Sequence, residues 1–340
     1  MNWFQYEKEF PLEGGSVLPG FTLCYHTYGK LNQTKDNVIW VCHALTASSD
    51  VESWWPGMVG DDLSFDTKKY FVVCVNILGS CYGSTGPISI NPLTKKPFYH
   101  DFPLITIRDM VACFQLLAQH LEIQKIHLLA GGSMGGYQVL EWAIMQPSFI
   151  EQVFLITSSA KESPWRIAIH AAQRLAIEAD STWKESFDKA GEKGLKAARA
   201  IGMLTYRHPL IYEEKQADDD KNKLDDFKAA SYINYQGNKL TQRFNAFSYW
   251  TLTKAMDTHN VSRRRKNIEE VLKSISQRTL IMGIETDILC PVREQEFMAN
   301  IIPGAELIII NSDYGHDGFL TERNQITLHL NKWLKQDSHD

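Results

Sequence analysis

A serine stands at the centre of a glycine cluster near the middle of the chain. Residues Gly131 to Gly136 read Gly-Gly-Ser-Met-Gly-Gly, and the pattern G-x-S-x-G surrounds Ser133. The apolar run 126–130 precedes the cluster, and residues of helix-forming character follow it. In this strand–turn–helix context the pattern is typical of a nucleophile elbow, a tight turn that exposes a serine hydroxyl. Glycines permit such a turn because side chains at their positions would clash.

The nucleophile needs a base that is itself held in place, and the chain offers one downstream. A serine hydroxyl attacks efficiently only when an oriented base removes its proton. Asp287 comes just after the apolar run 278–283, and His316 comes just after the run 307–311. Side chains beyond the carboxyl ends of parallel strands meet at one edge of an open α/β sheet. The order serine, acid, histidine therefore predicts a catalytic triad of Ser133, Asp287 and His316.

Other acids and two backbone amides belong to the same analysis. Glu285 and Asp313 also follow these two runs, so they remain alternatives for the acid. Acyl transfer through a serine further requires N–H donors for the oxyanion. One donor comes from the residue after the nucleophile and one from the loop after an early strand. We choose the N–H groups of Met134 and of Leu45, which lies in the segment His43-Ala-Leu-Thr46.

Composition narrows the class of protein. The 340 residues are 44% hydrophobic and 22% charged, with a net charge of −5, which provides no basic surface for nucleic acid. We see no secretory signal at the N-terminus and no apolar run near the roughly 18 residues of a membrane span. The six cysteines stand far apart, at positions 24, 42, 74, 81, 113 and 290. We therefore expect a cytoplasmic protein with reduced cysteines, no metal site, and no nucleic-acid or membrane partner.

The elements that must position the triad are strands and helices in alternation. Continuous apolar runs at 37–42, 70–75 and 153–157 are typical of strands buried on both faces of a parallel sheet. Residues 160–272 are polar, rich in alanine and helical in pattern, and strand signals return only after them. With the elbow, this organisation predicts an α/β-hydrolase fold, with a mainly parallel central sheet flanked by helices.

The predicted core is split in the sequence by that helical block. We assign residues 1–159 and 273–340 to the core domain and residues 160–272 to a helical lid inserted between two strands of one sheet.

Eight segments, in order along nearly the whole chain, form a distinctive set. They are His43-Ala-Leu-Thr46, Leu78-Gly-Ser-Cys-Tyr-Gly-Ser-Thr-Gly-Pro87, Ser89-Ile-Asn-Pro92, Phe102-Pro-Leu-Ile-Thr-Ile-Arg-Asp109, Gly131-Gly-Ser-Met-Gly-Gly136, Gly202-Met-Leu-Thr-Tyr-Arg207, Tyr235-Gln-Gly-Asn-Lys239 and Gly315-His-Asp-Gly-Phe-Leu320. G-x-S-x-G alone is common to many esterases, whereas the blocks around Cys81 and His316 are far more restrictive. Together these segments resemble the MetX family of homoserine O-acyltransferases.

The resemblance implies a ping-pong acetyl transfer in methionine biosynthesis. Ser133 would take the acetyl group from acetyl-CoA, which is a co-substrate and not a bound cofactor, and L-homoserine would then receive it. By the same resemblance Arg199 would bind the carboxylate of homoserine, while Tyr206 and Asp317 would hold its amino end. The residues agree in part, because Arg199 and Tyr206 are seven apart and share one face of a helix. A guanidinium is also well shaped for a carboxylate.

Alternatives remain at this stage. Succinyl-CoA could replace acetyl-CoA, or serine could replace homoserine, through a few changes in the pocket. Plain ester hydrolysis uses the same triad, and a binding protein on this fold would be expected to lose one member of it. The resemblance also implies a homodimer formed through the lid helices.

Overall fold

A computed structural model describes residues 1–336 and shows one central eight-stranded sheet. The strands run in the spatial order β1-β2-β4-β3-β5-β6-β7-β8. They are β1 (Asn2–Tyr6), β2 (Phe21–Tyr28), β3 (Val38–Cys42), β4 (Phe71–Val75), β5 (Ile126–Gly132), β6 (Ile150–Ile156), β7 (Arg278–Ile284) and β8 (Glu306–Ile310). Short two-residue strands pair Phe10–Pro11 with Val17–Leu18, and Val59–Gly60 with Phe65–Asp66.

The sheet is mainly parallel, as the sequence predicts. Only β2 pairs antiparallel, with β1 on one side and β4 on the other. The pairs β4/β3, β3/β5, β5/β6, β6/β7 and β7/β8 are all parallel. Successive residues of β3 point to opposite faces, so Trp40 enters one buried cluster and Val41 enters the other. Because both faces are covered, the inner strands are continuous apolar runs.

Helices cover both faces of the sheet. They are α1 (Val51–Trp54), α2 (Ile107–His120), α3 (Met134–Met145), α4 (Pro164–Glu178), α5 (Glu192–Tyr206), α6 (Pro209–Gln216), α7 (Lys228–Thr241), α8 (Ala246–Asp257), α9 (Ile268–Lys273), α10 (Val292–Ile301), α11 (Gly318–Thr321) and α12 (Arg323–Lys335). On one face, Phe114 of α2 and Trp142 of α3 pack on Trp40. On the other face, Leu330 and Trp333 of α12 join the second buried cluster.

Six helices, α4 to α9, separate β6 from β7 in the sequence, although the two strands are neighbours in the sheet. Helices α4 to α8 fall within the predicted insertion 160–272, whose boundaries remain a prediction, and α9 ends one residue beyond it, at Lys273. Helices α4 and α5 pack closely because glycines of α5 face α4. A Cβ at Gly202 would lie 3.0 Å from the amide nitrogen of Gln173, and one at Gly194 would lie 2.5 Å from Cα of Ile177.

Predicted elements and observed elements differ only at their ends. The strand predicted at 153–157 begins three residues earlier, at Ile150, and ends one residue earlier, at Ile156. Residues 337–340 of the predicted core lie outside the described part of the chain.

Two further observations concern the cysteines and the lengths of the helices. Cys42 and Cys74 are buried in β3 and β4, and burial raises the pKa of both thiols. Among residues 1–336, no helix is both long enough and apolar enough to cross a membrane.

A buried histidine makes stability depend on pH. His259 stacks on Tyr137 with ring centroids 4.0 Å apart, and its Nε2 donates to the carbonyl of Ser159 at 2.9 Å. Burial lowers its pKa from 6.5 to about 3. The unfolded chain therefore binds a proton below about pH 6.5 that the folded chain does not bind. This difference favours unfolding as the pH falls.

We expect His259→Phe to flatten this pH dependence. The variant keeps the stacked ring but cannot titrate. Between pH 6.5 and 4, its free energy of unfolding should fall less steeply than that of the unsubstituted protein, by up to about 1.4 kcal/mol per pH unit. Urea unfolding at several pH values measures both slopes. Two parallel curves would show that His259 does not contribute to the acid instability.

Candidate active site

The turn between β5 and α3 holds Ser133 in a strained backbone conformation. Its φ is +54° and its ψ is −126°, a region that residues with side chains rarely adopt. Its N–H donates to the carbonyl of Ile156 at 3.0 Å. Glycine is required two residues later, because a Cβ at Gly135 would lie 2.0 Å from the carbonyl oxygen of Cys42. The predicted elbow is thus formed by the close approach of α3 to the end of β3.

The structure brings Ser133, His316 and Asp287 together. His316 Nε2 lies 2.9 Å from Ser133 Oγ, and His316 Nδ1 lies 2.7 Å from Asp287 Oδ2. His316 sits in a short 3₁₀ turn, Gly315–Asp317, beyond β8, and its side chain is buried. With Nδ1–H donated to the carboxylate, Nε2 is free to accept the serine proton.

Asp287 is the carboxylate that the structure pairs with the histidine. Its second oxygen, Oδ1, accepts the N–H groups of Leu289 at 2.9 Å and of Cys290 at 2.8 Å. Glu285 and Asp313, the alternatives from the sequence, are both exposed and make no contact with His316 among the described residues. A carboxylate with both oxygens occupied is held in one orientation, which in turn fixes the imidazole.

Arg166, which the sequence analysis did not identify, connects the lid to the loop of Asp287. Its guanidinium is buried, and Nη1 donates to the carbonyl of Leu289 at 3.2 Å. That carbonyl shares a peptide group with the Cys290 N–H that donates to Asp287. Nε and Nη1 also bond Glu162 at 2.8 Å and Glu294 at 2.6 Å. The cation thus strengthens the hydrogen bond that holds the carboxylate.

The two predicted oxyanion donors are free to bind a ligand. Within residues 1–336, neither the Leu45 N–H nor the Met134 N–H has a hydrogen-bond acceptor. His43 supports the loop of Leu45, since its Nδ1–H donates to the carbonyl of Ala44 at 2.8 Å and its Nε2 accepts the Ile77 N–H at 3.3 Å. Burial lowers the pKa of His43 to about 4, so its ring is neutral and can play both parts.

A cavity of about 470 Å³ lies between the sheet edge and the lid helices. Ser133 and His316 open onto it, and so do Arg199, Tyr206 and Asp317. The Tyr206 ring centroid is 6.2 Å from that of His316, and the Arg199 guanidinium carbon is 5.3 Å from the Tyr206 centroid. All three residues that the resemblance assigns to substrate binding thus face the space in front of the triad.

The charged groups of the cavity are paired unequally. Asp317 Oδ2 accepts from Arg207 Nε at 3.2 Å, a partner that the sequence analysis did not foresee. Arg199, in contrast, has no carboxylate partner and no hydrogen bond among residues 1–336, and its contact is with the Tyr206 ring. A half-buried guanidinium without a counterion favours an anionic ligand.

Three further residues that line the cavity were not identified as site residues from the sequence. His170 of α4 bonds Asp257 at 2.9 Å, while Lys239 and Arg243 supply positive charge from α7 and the turn after it. Arg166, His170 and Arg174 recur every fourth residue on the buried face of α4, next to apolar positions. That periodic polar stripe is a signal that the sequence contains.

Solved structures of known proteins share this architecture. The homoserine O-acetyltransferase of Bacillus anthracis aligns with a TM-score of 0.87 and 25% identity, over 97% of each chain. Esterase E22 aligns with a TM-score of 0.90 and 23% identity, over 98% of this chain and 99% of that one. At 23% identity, this similarity shows only that the two proteins share a fold.

Comparison with known sequences is more specific. A family model described as the α/β-hydrolase fold matches residues 37–323. The homoserine O-acetyltransferase of Cyclobacterium marinum is 46% identical over 98% of this chain and 95% of its own. That of Chlorobaculum parvum is also 46% identical, over 95% of this chain and 92% of its own. The chain therefore belongs to the homoserine O-acetyltransferase family, which is built on the α/β-hydrolase fold.

Proposed function

We propose that this protein transfers an acetyl group from acetyl-CoA to the side-chain hydroxyl of L-homoserine. The observation that carries the proposal is Arg199, whose guanidinium has no carboxylate partner among residues 1–336 and lies in the same cavity as Ser133 and His316. A simple esterase has no need of a buried site for a carboxylate, whereas an amino-acid acceptor brings one. The relatives that match nearly the whole chain are named for this reaction.

The first half-reaction acylates the serine. Ser133 Oγ attacks the thioester carbonyl while His316 Nε2 takes its proton, and the N–H groups of Leu45 and Met134 bind the oxyanion. When the tetrahedral intermediate collapses, the C–S bond breaks and the proton passes from His316 to the CoA sulfur. Asp287 stabilises the imidazolium that forms in between. CoA then dissociates, and the acetyl group remains on Ser133 as an ester.

The second half-reaction uses the same groups in reverse. The homoserine hydroxyl gives its proton to His316 as its oxygen attacks the acetyl ester. When the tetrahedral intermediate collapses, the bond between the acetyl carbon and Ser133 Oγ breaks, the proton passes from His316 to Oγ, and O-acetylhomoserine leaves. Arg199 would hold the carboxylate of homoserine, and Tyr206 and Asp317 would lie at its amino end. Water competes with the acceptor for the same ester, so the covering helices favour transfer by restricting its entry.

Three expectations remain predictions at this point. They are a homodimer through the lid helices, a cytoplasmic location, and the absence of a permanently bound cofactor. Succinyl-CoA as donor and serine as acceptor also remain alternatives.

Hydrolysis is the second candidate, because esterases share the fold. We expect CoA thiol release from acetyl-CoA to depend on L-homoserine, with much slower release from succinyl-CoA or with L-serine. Thiol release and O-acetylhomoserine are measured together. Ser133→Ala is the control, and it should lose at least about 10⁴-fold in rate while keeping its thermal unfolding curve. Equal release without any acceptor would contradict the transferase proposal.

The choice of acid can be tested with a matched pair of variants. Asp287→Asn removes the carboxylate that orients His316, so kcat should fall by about 10³–10⁴. Glu285→Gln, two residues away and exposed, should leave kcat unchanged. Steady-state assays with both substrates measure the two effects. Comparable losses in both variants would contradict the triad assignment.

The role of Arg199 predicts a selective loss. Arg199→Met should lower kcat/KM for L-homoserine by about 10–100-fold, because a charge-assisted contact to the carboxylate is lost. The same variant should change little with 3-amino-1-propanol, which is homoserine without its carboxylate. Acylation of Ser133, measured as a burst of CoA, should persist. Loss of both half-reactions would instead make Arg199 a structural residue.

A further inference from the structure

A second histidine–aspartate pair faces the cavity that contains the triad. His170 of α4 is 3% exposed, and its Nδ1 lies 2.9 Å from Asp257 Oδ1. Its Nε2 has no hydrogen-bond partner among residues 1–336, and this atom is not completely enclosed by the protein. His170 lines the cavity together with Ser133. The unpaired nitrogen therefore borders the space that the substrates must occupy.

The partners of His170 define what its free nitrogen can do. Asp257 Oδ2 also accepts from Arg174 Nη2 at 2.5 Å, so the aspartate is held as a carboxylate between two donors. A carboxylate can only accept hydrogen bonds, so the proton of the neutral imidazole lies on Nδ1. Nε2 then presents a lone pair to the cavity. It suits a substrate group that donates a hydrogen bond.

The register of two helices places His170 at the same end of the α4–α5 pair as Tyr206. In the antiparallel pair of α4 and α5, Gly202 packs against Gln173 and Gly194 against Ile177. His170 lies one turn before Gln173 in α4, and Tyr206 lies one turn after Gly202 in α5. Both residues are therefore at the same end of the helix pair. The Tyr206 ring is in turn 6.2 Å from that of His316. Exposed charges of the cavity rim come from elsewhere, from α7 and the turn that follows it.

We propose that His170 Nε2 accepts a hydrogen bond from the α-ammonium group of the amino-acid acceptor. The inference rests on the proposed function. An acceptor amino acid brings three polar groups, of which the carboxylate suits Arg199 and the hydroxyl must reach His316. Tyr206 and Asp317 would lie at the ammonium end, but one oxygen of Asp317 already accepts from Arg207, so His170 adds an acceptor that has no protein partner among residues 1–336. His170 is thus a residue that determines specificity for an amino acid over an ordinary alcohol.

The physical basis of this specificity is the free-energy cost of leaving the buried imidazole nitrogen without a hydrogen bond. An alcohol substrate that lacks the amino group displaces water from Nε2 and offers no hydrogen-bond donor in return. Sites built to bind one polar group discriminate strongly against analogues without it. The amide N–H groups of the CoA arm are the other donors that could reach the cavity. The KM for acetyl-CoA distinguishes the two cases, because only a contact with CoA would make it rise when His170 is replaced.

The test compares two acceptors in His170→Phe. The variant keeps a planar ring of similar size, and Asp257 keeps its contact with Arg174. The acceptors are L-homoserine and 4-hydroxybutyrate, which is homoserine without its amino group. We expect the ratio of their kcat/KM values, homoserine over 4-hydroxybutyrate, to fall by about 10–100-fold. The KM for acetyl-CoA should not move. His127→Phe, on β5 beside Tyr70 and away from the cavity, is the matched control and should preserve the ratio.

His170→Gln provides rescue, because its amide oxygen can replace the lost acceptor. Its ratio should lie between those of the unsubstituted protein and His170→Phe, which a merely structural role would not produce. An unchanged ratio in His170→Phe, or a rise in the KM for acetyl-CoA alone, would overturn the assignment. If the unsubstituted protein makes no O-acetylhomoserine, the proposed function fails instead, and the two failures are thereby distinguishable.

Discussion

The site depends on a strained turn that the sheet holds in place. Ser133 has a positive φ, which costs on the order of 1–3 kcal/mol and persists only where surrounding contacts impose it. Its N–H is held by Ile156 of β6, and its carbonyl accepts from Ser158 Oγ at 3.2 Å. Without a side chain, Gly135 lets α3 approach the end of β3. Three neighbouring strands thus decide where one hydroxyl points.

The helices inserted between β6 and β7 contact the segments that position Asp287 and His316, and they also line the cavity. Arg166 reaches from α4 to the peptide group that holds Asp287, and Gly315 of the His316 turn lies so close to His208 that a Cβ would be 2.8 Å from its backbone nitrogen. The loop of Asp287 and the turn of His316 are therefore both in contact with the inserted segment between β6 and β7. A shift of these helices would change the geometry of the triad together with the shape of the cavity.

The cavity combines groups for three parts of a substrate. Among residues 1–336, the N–H groups of Leu45 and Met134 have no acceptor, the Arg199 guanidinium has no carboxylate partner, and His170 Nε2 has no hydrogen-bond partner. Leu45, Met134 and His170 are buried and Arg199 is half-buried, and polar groups in such places are costly unless a ligand completes them. Their presence around one serine is the physical argument that the site binds a small, polar and charged acceptor.

The sequence alone determined the elements and the reacting groups. The elbow around Ser133 is local, because its glycines and the strand before it are adjacent in the chain. Asp287 and His316 could be named because residues that follow parallel strands meet at one edge of the sheet. Apolar runs placed the strands well because burial on both faces leaves an unbroken hydrophobic pattern.

Only the tertiary structure decided how distant side chains pair. It selected Asp287 over Glu285 by bringing one to His316 and leaving the other exposed. His170 meets Asp257 across 87 residues, and Arg166 meets the carbonyl of Leu289 across 123. A polar residue on a helix has the same local sequence signal whether it faces water or a cavity. Its role is therefore set by packing between helices, which local patterns do not contain.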